Sequence, residues 1–188
     1  MNSQSTIPSG IAWHPGLAEL PFSPIRTMFN TASTMEDVAH LSIGQPDFPT
    51  PRHIVEAHIK ALQDGQTRYE LDAGLPSLRD AIASFYADRY DIELDAENVL
   101  VTTGCCQALY IALTAAVNPG KEIIIAEPYF VLSHIPRTVG AIPRYVPTTA
   151  ESGYQLDPQA VIDAMSDKTC AVMLLSPGNP TGAVYPRE

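Results

Sequence analysis

The feature that most constrains the fold is an alternation of short apolar runs with helix-forming windows in the second half of the chain. Runs that suit strands lie at 98–102 (NVLVT), 122–127 (EIIIAE), 142–147 (IPRYVP) and 170–176 (CAVMLLS). Windows that suit helices lie at about 105–117, 130–139 and 157–165. Uniformly apolar strands that alternate with helices are typical of a mainly parallel sheet covered on both faces. The predicted class is therefore α/β, with a helix–sheet–helix arrangement in three layers.

Two further helices are predicted before this alternation. Apolar residues recur at helical spacing between Ile54 and Leu62, which predicts a helix over about 51–64. Pro76 is suited to a first helical turn, and an apolar stripe then continues to about Tyr90.

The first 50 residues differ from the rest of the chain. They are rich in Pro, Ser and Thr and show little periodicity. We expect an extended N-terminal arm over 1–50, followed by part of a larger domain over 51–188.

Composition and charge exclude several functions. The chain is 45% hydrophobic, but no segment approaches the roughly 20 apolar residues of a membrane span. Its 11 basic and 21 acidic residues give a net charge of −10, and the basic residues are scattered, so nucleic-acid binding is not predicted. The N-terminus has no basic segment followed by an apolar one, so a cytoplasmic location is expected. Three cysteines do not form a disulfide framework, and we predict that all are reduced.

Ligands of parallel α/β sheets bind at the carboxyl ends of the strands, so the residues after each run are the candidates for a site. In VTTGCCQAL a strand is expected to pass through Gly104 into a helix that begins near Cys105. Free amides and the helix dipole can hold a phosphate there. No Gly-Lys-Ser/Thr follows, so a nucleotide triphosphate is not the predicted ligand. A tight turn without any ligand fits the spacing equally well.

Two other strand ends carry candidate residues. Tyr129 and Phe130 follow the run at 122–127, where an aromatic ring can stack on a planar ligand, although packing against the next helix is the simpler interpretation. In SPGNPTG, the proline after Asn179 favours an extended conformation that presents the Asn179 amide as a donor. A plain turn is the alternative there.

Five motifs, taken in order, resemble those of the pyridoxal-phosphate-dependent aminotransferases of fold type I, in the class I and II group of aspartate aminotransferase-like enzymes. They are LSIGQPDFPTP (41–51), RYELDAGLPSLRDAIA (68–83), VTTGCCQAL (101–109), AEPYF (126–130) and SPGNPTG (176–182). The resemblance implies pyridoxal 5′-phosphate as cofactor, an amino acid and a 2-oxo acid as substrates, and a homodimer. It also implies the three-layer cofactor domain of that family.

The resemblance assigns roles to individual residues. Gly44 is similar to the glycine whose backbone meets the substrate carboxylate, and Tyr69 to the tyrosine that reaches the cofactor phosphate of the neighbouring subunit. Gly104, Cys105 and Cys106 occupy the loop that binds the phosphate.

Two more assignments concern the cofactor ring. Phe130 resembles the aromatic residue that stacks on the ring, and Asn179 the asparagine that donates to the ring's phenolic oxygen.

The family usually has Ala, Gly, Ser, Thr or Lys where Cys105 and Cys106 stand. A thiol is a weaker hydrogen-bond partner than a hydroxyl, so the backbone amides would have to contribute more of the binding.

Transamination needs a lysine that binds the cofactor covalently and moves the substrate's α-proton. The chain has only Lys60, Lys121 and Lys168, none at the position of the family's lysine motif. We therefore interpret the chain as the N-terminal part of an aminotransferase, assign no catalytic residue and no metal site, and expect no turnover by this chain alone.

Three alternatives remain open. A C–S lyase or an aminocyclopropane-carboxylate synthase would share nearly all of these motifs. The chain could also be a non-catalytic fragment or half of a split protein, or an α/β domain with fortuitous motifs. The sequence does not identify the amino acid or the oxo acid.

Overall fold

The computed structural model describes residues 24–39, 41, 44, 46–129 and 134–186. These residues form two compact units, one at 24–103 and one that begins at Gly104. The two units do not test the predicted boundary at residue 50, which stays a prediction.

The first unit is helical. Its elements are helix α1 (Pro24–Ala32), helix α2 (Arg52–Gln63), helix α3 (Pro76–Tyr90) and a short 3₁₀ turn (Ala96–Asn98). Helices α2 and α3 confirm the two helices predicted from apolar spacing, each to within one residue at either end.

Helix α1 was not predicted, because residues 1–50 were read as an extended arm. Pro24 occupies the first helical position, where its missing N–H costs nothing. Ile25, Met28 and Phe29 follow at helical spacing and form one apolar stripe. This helical spacing could have predicted α1, but the Pro-, Ser- and Thr-rich composition of residues 1–50 obscured it.

The strand predicted at 98–102 is wrong. Residues 99–103 form no strand, although the backbone at Val99 is extended. A strand needs a hydrogen-bonded neighbour, and the Val101 N–H donates instead to the Ala73 carbonyl at 3.0 Å. The prediction of an extended backbone was correct at Val99, but no strand among the described residues pairs with this apolar run.

The second unit contains the sheet. Its elements are helix α4 (Gly104–Ala116), strand β1 (Glu122–Glu127), helix α5 (His134–Thr138), strand β2 (Ile142–Pro147), helix α6 (Pro158–Asp163) and strand β3 (Thr169–Met173). Strands β1 and β2 lie where they were predicted, and β3 ends three residues earlier. Of the helix predicted at 130–139, residues 130–133 lie outside the described residues.

All strand pairs are parallel, in the order β2–β1–β3. This confirms the predicted α/β class with a mainly parallel sheet. The order places β1 at the centre, and Ile123, Ile124 and Ile125 are at most 1% exposed. The core extends from this strand to Leu113 of α4 and Ile135 of α5. Burial on both faces explains the uniformly apolar sequence of β1.

Helix α6 begins with the capping residues that the sequence predicted. The Asp157 carboxylate accepts a 2.9 Å hydrogen bond from the Gln159 N–H and caps α6, with Pro158 at its first position, as predicted. Within the described ranges, no helix is long and apolar enough to cross a bilayer.

Candidate functional site

The carboxyl ends of β1 and β2 are joined by one residue. Thr148, directly after β2, donates to the Glu127 carbonyl from its backbone N–H at 2.7 Å and from its hydroxyl at 2.6 Å. Thr148 was not predicted as a site residue, although it directly follows a strand, where ligands of parallel sheets bind. This edge of the sheet is therefore held firmly where a ligand would bind.

Asn179 lies on a closed turn after β3. The Gly178 N–H donates to the Ala183 carbonyl and the Gly182 N–H to the Gly178 carbonyl, both at 2.7 Å. The Thr181 hydroxyl oxygen accepts from the Ala183 N–H at 3.2 Å. These bonds hold the backbone on both sides of Asn179, whose side chain is exposed.

The residues after the three strands line one cleft. Tyr129 comes from the end of β1, Thr148 from the end of β2, and Asn179, Thr181 and Tyr185 from the segment after β3. A cleft at the carboxyl edge of a parallel sheet is where such folds bind ligands. The structure thus brings Asn179 together with Tyr129, which the sequence had placed only near a strand end. It also adds Tyr185 to the cleft, and no sequence pattern had indicated this residue.

The predicted phosphate loop opens helix α4. Gly104 has φ +78°, and a Cβ added there would meet no atom within 4 Å. Cys105 and Cys106 are exposed and form no disulfide with another described residue. The first amides of an α-helix have no partner within it and favour anions. Helix α4 is 13 residues long, and Gly104 at its start has no side chain that would obstruct an approaching phosphate group.

Tyr129 lies between the core and the cleft. Its ring is half-buried and packs against the core cluster around Ile125. Burial raises the pKa of the Tyr129 phenol above its ordinary value, and an electrostatic interaction with Cys105 raises that pKa further. Tyr129 also lines the cleft with Asn179.

Of the predicted site residues that the structure describes, Asn179 lines this cleft, whereas Gly104, Cys105 and Cys106 lie at the start of α4. Gly44 and Tyr69 belong to the first unit, where Gly44 is exposed and Tyr69 is fully exposed. Phe130 lies outside the described residues.

None of the three lysines is among the residues that line the cleft. Lys60 forms an exposed ion pair of 2.7 Å with Asp64 at the end of α2. Lys121 immediately precedes β1, and Lys168 immediately precedes β3. Both are at the amino edge of the sheet, and the six residues of β1 span about 20 Å from there to the cleft. In the part of the chain that the structure describes, no group of three His, Cys, Asp or Glu residues could hold a metal ion.

Comparisons with known proteins agree with the five motifs. The family model described as aminotransferase class I and II matches residues 36–188. The aspartate aminotransferase of Pyrococcus horikoshii is 38% identical over 88% of this chain and 43% of its own length. The aspartate/prephenate aminotransferase of Thermus thermophilus is 40% identical over 81% of this chain and 40% of its own length.

Solved structures show the same likeness. The structure of Thermus thermophilus aspartate aminotransferase with maleate matches with a TM-score of 0.89 and 34% identity, over 94% of this chain and 48% of that one. The chain thus spans less than half the length of these relatives. The family model and the level of identity confirm the resemblance carried by the motifs: the chain belongs to the class I and II aminotransferase family, of fold type I.

Proposed function

We propose that the protein containing this chain is an aminotransferase that uses pyridoxal 5′-phosphate to move an amino group from an amino acid to a 2-oxo acid. The observation that carries the proposal is the cleft at the carboxyl edge of the sheet. Asn179 lies there on a turn held by backbone hydrogen bonds, and Tyr129 and Thr148 line the same cleft. Family membership supplies the reaction class.

The phosphate loop would hold the cofactor's phosphate. The N-terminus of an α-helix favours an anion, and the lack of a side chain at Gly104 would let the backbone approach it. Cys105 and Cys106 add only weakly donating thiols, so the amides provide most of the binding.

Asn179 would orient the cofactor ring. Its exposed amide can donate to the phenolic oxygen of the ring, and the hydrogen-bonded turn keeps the amide in place. Phe130 is proposed to stack on the ring. When bound, the cofactor supplies an electron sink for the carbon from which the substrate proton is removed.

The first unit would contribute to substrate binding and assembly. Gly44 is proposed to bind the substrate carboxylate through its backbone, since it is exposed and nothing lies within 4 Å of its missing Cβ. Tyr69 is proposed to reach the cofactor phosphate of a second subunit in a homodimer, which suits its fully exposed side chain. Several relatives are named for aspartate, so aspartate is the first amino donor to test.

We also propose that the covalent lysine is none of the three in this chain. Lys121 and Lys168 lie at the edge of the sheet opposite the cleft, and Lys60 pairs with Asp64. The 188-residue chain should therefore be incubated with pyridoxal phosphate and borohydride and digested for mass spectrometry. We expect no lysine to be labelled above the level of a denatured sample. Selective labelling of any one of the three would contradict this assignment.

The cofactor proposal is tested in the longest natural polypeptide that contains this sequence, called here the full-length protein. It should bind pyridoxal phosphate with a new absorbance band and form 2-oxo acid from an amino donor. Asn179→Ala should weaken cofactor binding at least about tenfold, because a hydrogen bond to a charged oxygen is lost. The control Asn118→Ala changes an exposed asparagine after α4 and should bind as the wild type does.

Two results would overturn the proposal. One is a full-length protein that does not bind the cofactor, and the other is equal cofactor affinity in Asn179→Ala and the wild type. Product analysis separates transamination from C–S lyase chemistry, because only transamination transfers the amino group to the 2-oxo acid acceptor and forms a new amino acid, whereas β-elimination releases the amino group as ammonia.

A further inference from the structure

Thr148 donates twice to a single backbone carbonyl. Its nitrogen lies 2.7 Å and its hydroxyl oxygen 2.6 Å from the Glu127 carbonyl oxygen, and that oxygen has a lone pair for each donor. The N–H alone would satisfy the carbonyl, as the Ile142 N–H does for the Lys121 carbonyl at the start of β2, at 2.8 Å. The Thr148 hydroxyl is therefore an addition that the pairing of the strands does not require.

The sequence of β2 explains why this addition lies at the limit of the sheet. Glu127 and Pro147 are the last paired residues of β1 and β2. Pro147 has no N–H, which is tolerated because β2 is an edge strand of the described sheet. Thr148 follows directly, so its two donors extend the pairing one residue beyond β2, to the edge where the cleft lies.

The carbonyl that Thr148 holds belongs to the segment that leads from β1 into the cleft. Tyr129 follows Glu127 by two residues, and its half-buried ring lines the cleft together with Thr148. Pro128 between them has a fixed φ, so the direction of the segment depends strongly on the orientation of the Glu127 peptide group. A single hydrogen bond lets that group tilt about the bond, whereas two bonds to the same oxygen restrict the tilt.

We propose that Thr148 is a positioning residue of the cofactor site, whose hydroxyl sets the direction of the segment after β1 and with it the place of Tyr129 in the cleft. Phe130, which is proposed to stack on the cofactor ring, is the next residue in the sequence, so a change in this direction would also alter that contact. Thr148 acts through the Glu127 carbonyl and is not a catalytic residue. The inference rests on the proposed function, since it needs the cofactor in this cleft.

The test is Thr148→Val in the full-length protein, which removes the hydroxyl and keeps the N–H and the branched side chain. The dissociation constant for pyridoxal phosphate, measured by absorbance titration, should rise about threefold to tenfold, as for the loss of one hydrogen bond. The circular dichroism of the cofactor band, per mole of cofactor bound, should also differ from that of the wild type, because it depends on how the ring is held. Thr148→Ser keeps the hydroxyl and should restore both values.

The melting temperature of the cofactor-free protein provides a separate measure of folding. It should stay close to the wild-type value in Thr148→Val, because the Thr148 N–H still satisfies the Glu127 carbonyl.

Thr138→Val is the matched control. The Thr138 hydroxyl donates to the Ile135 carbonyl at 2.7 Å, and Thr138 is half-buried like Thr148. It lies at the end of α5 and is not among the residues that line the cleft. The same substitution thus removes an equally short hydrogen bond elsewhere in the unit, and the variant should bind pyridoxal phosphate as the wild type does.

Four other outcomes overturn the inference. Wild-type affinity and dichroism in Thr148→Val would show that the hydroxyl positions nothing that the cofactor contacts. Weaker binding with a lowered melting temperature and unchanged dichroism would indicate a structural role alone. Equal losses in Thr148→Val and Thr148→Ser would assign the effect to packing and not to the hydroxyl, and an equal loss in Thr138→Val would assign it to general stability.

Failure of the proposed function gives a different result. A wild-type protein that does not bind pyridoxal phosphate refutes the proposed function and this inference with it. Normal binding by both the wild type and Thr148→Val refutes only the role of Thr148.

Discussion

The Glu122 carboxylate of β1 accepts a 2.7 Å hydrogen bond from the Arg144 guanidinium of β2. Its second oxygen accepts from the Ser166 hydroxyl at 2.8 Å, just before β3. The Glu122 side chain is only 4% exposed, whereas that of Arg144 is 56% exposed. A nearly buried carboxylate therefore joins all three strands at the amino edge, opposite the candidate cofactor cleft, and its role is structural.

Glu122→Gln should remove an acid-sensitive part of the stability. Hydrogen bonds from Arg144 and Ser166 hold the pKa of Glu122 below its ordinary value of 4.5. A carboxyl whose pKa is lowered by folding stabilises the fold above its unfolded-state pKa. That contribution is lost as the pH falls from about 4.5 toward the folded-state pKa. The melting temperature of Glu122→Gln should be lower than that of the wild type at neutral pH and fall less over this window.

The control is Glu127→Gln, at the exposed far end of the same strand. Melting curves from neutral pH to about pH 3, below the usual range of a Glu pKa, should give this variant the wild-type pH dependence. Identical pH dependence in Glu122→Gln and the wild type would show that the ion pair does not contribute to the acid-sensitive part of the stability.

Gly74→Ala should destabilise the helical unit. Gly74 has φ +101°, and an added Cβ would lie 2.7 Å from both the Cβ and the Cγ2 of Val101. The strained backbone costs about 1–2 kcal/mol, and a steric conflict in a packed region costs a similar amount. We expect a loss of about 2–4 kcal/mol in the free energy of unfolding, measured by urea denaturation. Gly65→Ala has a similar positive φ but open space around its Cβ, so it should lose only about 1 kcal/mol.

Gly178→Ala should weaken cofactor binding through the turn that holds Asn179. A Cβ at Gly178 would approach the Thr181 hydroxyl oxygen to 2.6 Å, and that oxygen accepts from the Ala183 N–H. Displacing Thr181 breaks this bond and moves Asn179, so we expect the cofactor affinity of the full-length protein to fall several-fold, with a stability loss of about 1–3 kcal/mol.

Thr181→Ala distinguishes the loss of the Thr181 hydrogen bond from the steric conflict caused by the added Cβ at Gly178. It removes the accepting hydroxyl without a steric conflict and should lower cofactor affinity by a similar factor. If Gly178 acts through Thr181, the double variant should bind no more weakly than either single variant. Fully additive losses of cofactor affinity would show that Gly178 does not act through Thr181.

Cys105→Ser and Cys106→Ser should strengthen cofactor binding. A hydroxyl is a better hydrogen-bond partner than a thiol and has nearly the same size. One improved hydrogen bond corresponds to a gain of about twofold to tenfold in affinity, measured by titration with pyridoxal phosphate. Cys170→Ser is the control, because Cys170 lies on β3 and its thiol donates to the Glu122 carbonyl at 3.5 Å. Unchanged affinity in both loop variants would show that neither side chain meets the phosphate.

Predictions based on local patterns were accurate for several elements. Helices α2 and α3 follow from apolar spacing, and the cap of α6 follows from Asp157 and Pro158. The run at 122–127 is a strand because isoleucines on both faces suit the centre of a sheet. The same reasoning failed at 98–102, since an apolar run specifies extended backbone but not a neighbouring strand to pair with it.

The sequence by itself determined the α/β class, the family and the positions of most helices and strands, because periodicity and turn residues act within a few positions of the chain. Only the tertiary structure decided the strand order β2–β1–β3, the network around Glu122 and the meeting of Tyr129 with Asn179 in one cleft. Tyr129 and Asn179 are 50 positions apart in the sequence. Their proximity depends on parallel pairing between distant segments, which no local pattern of residues records.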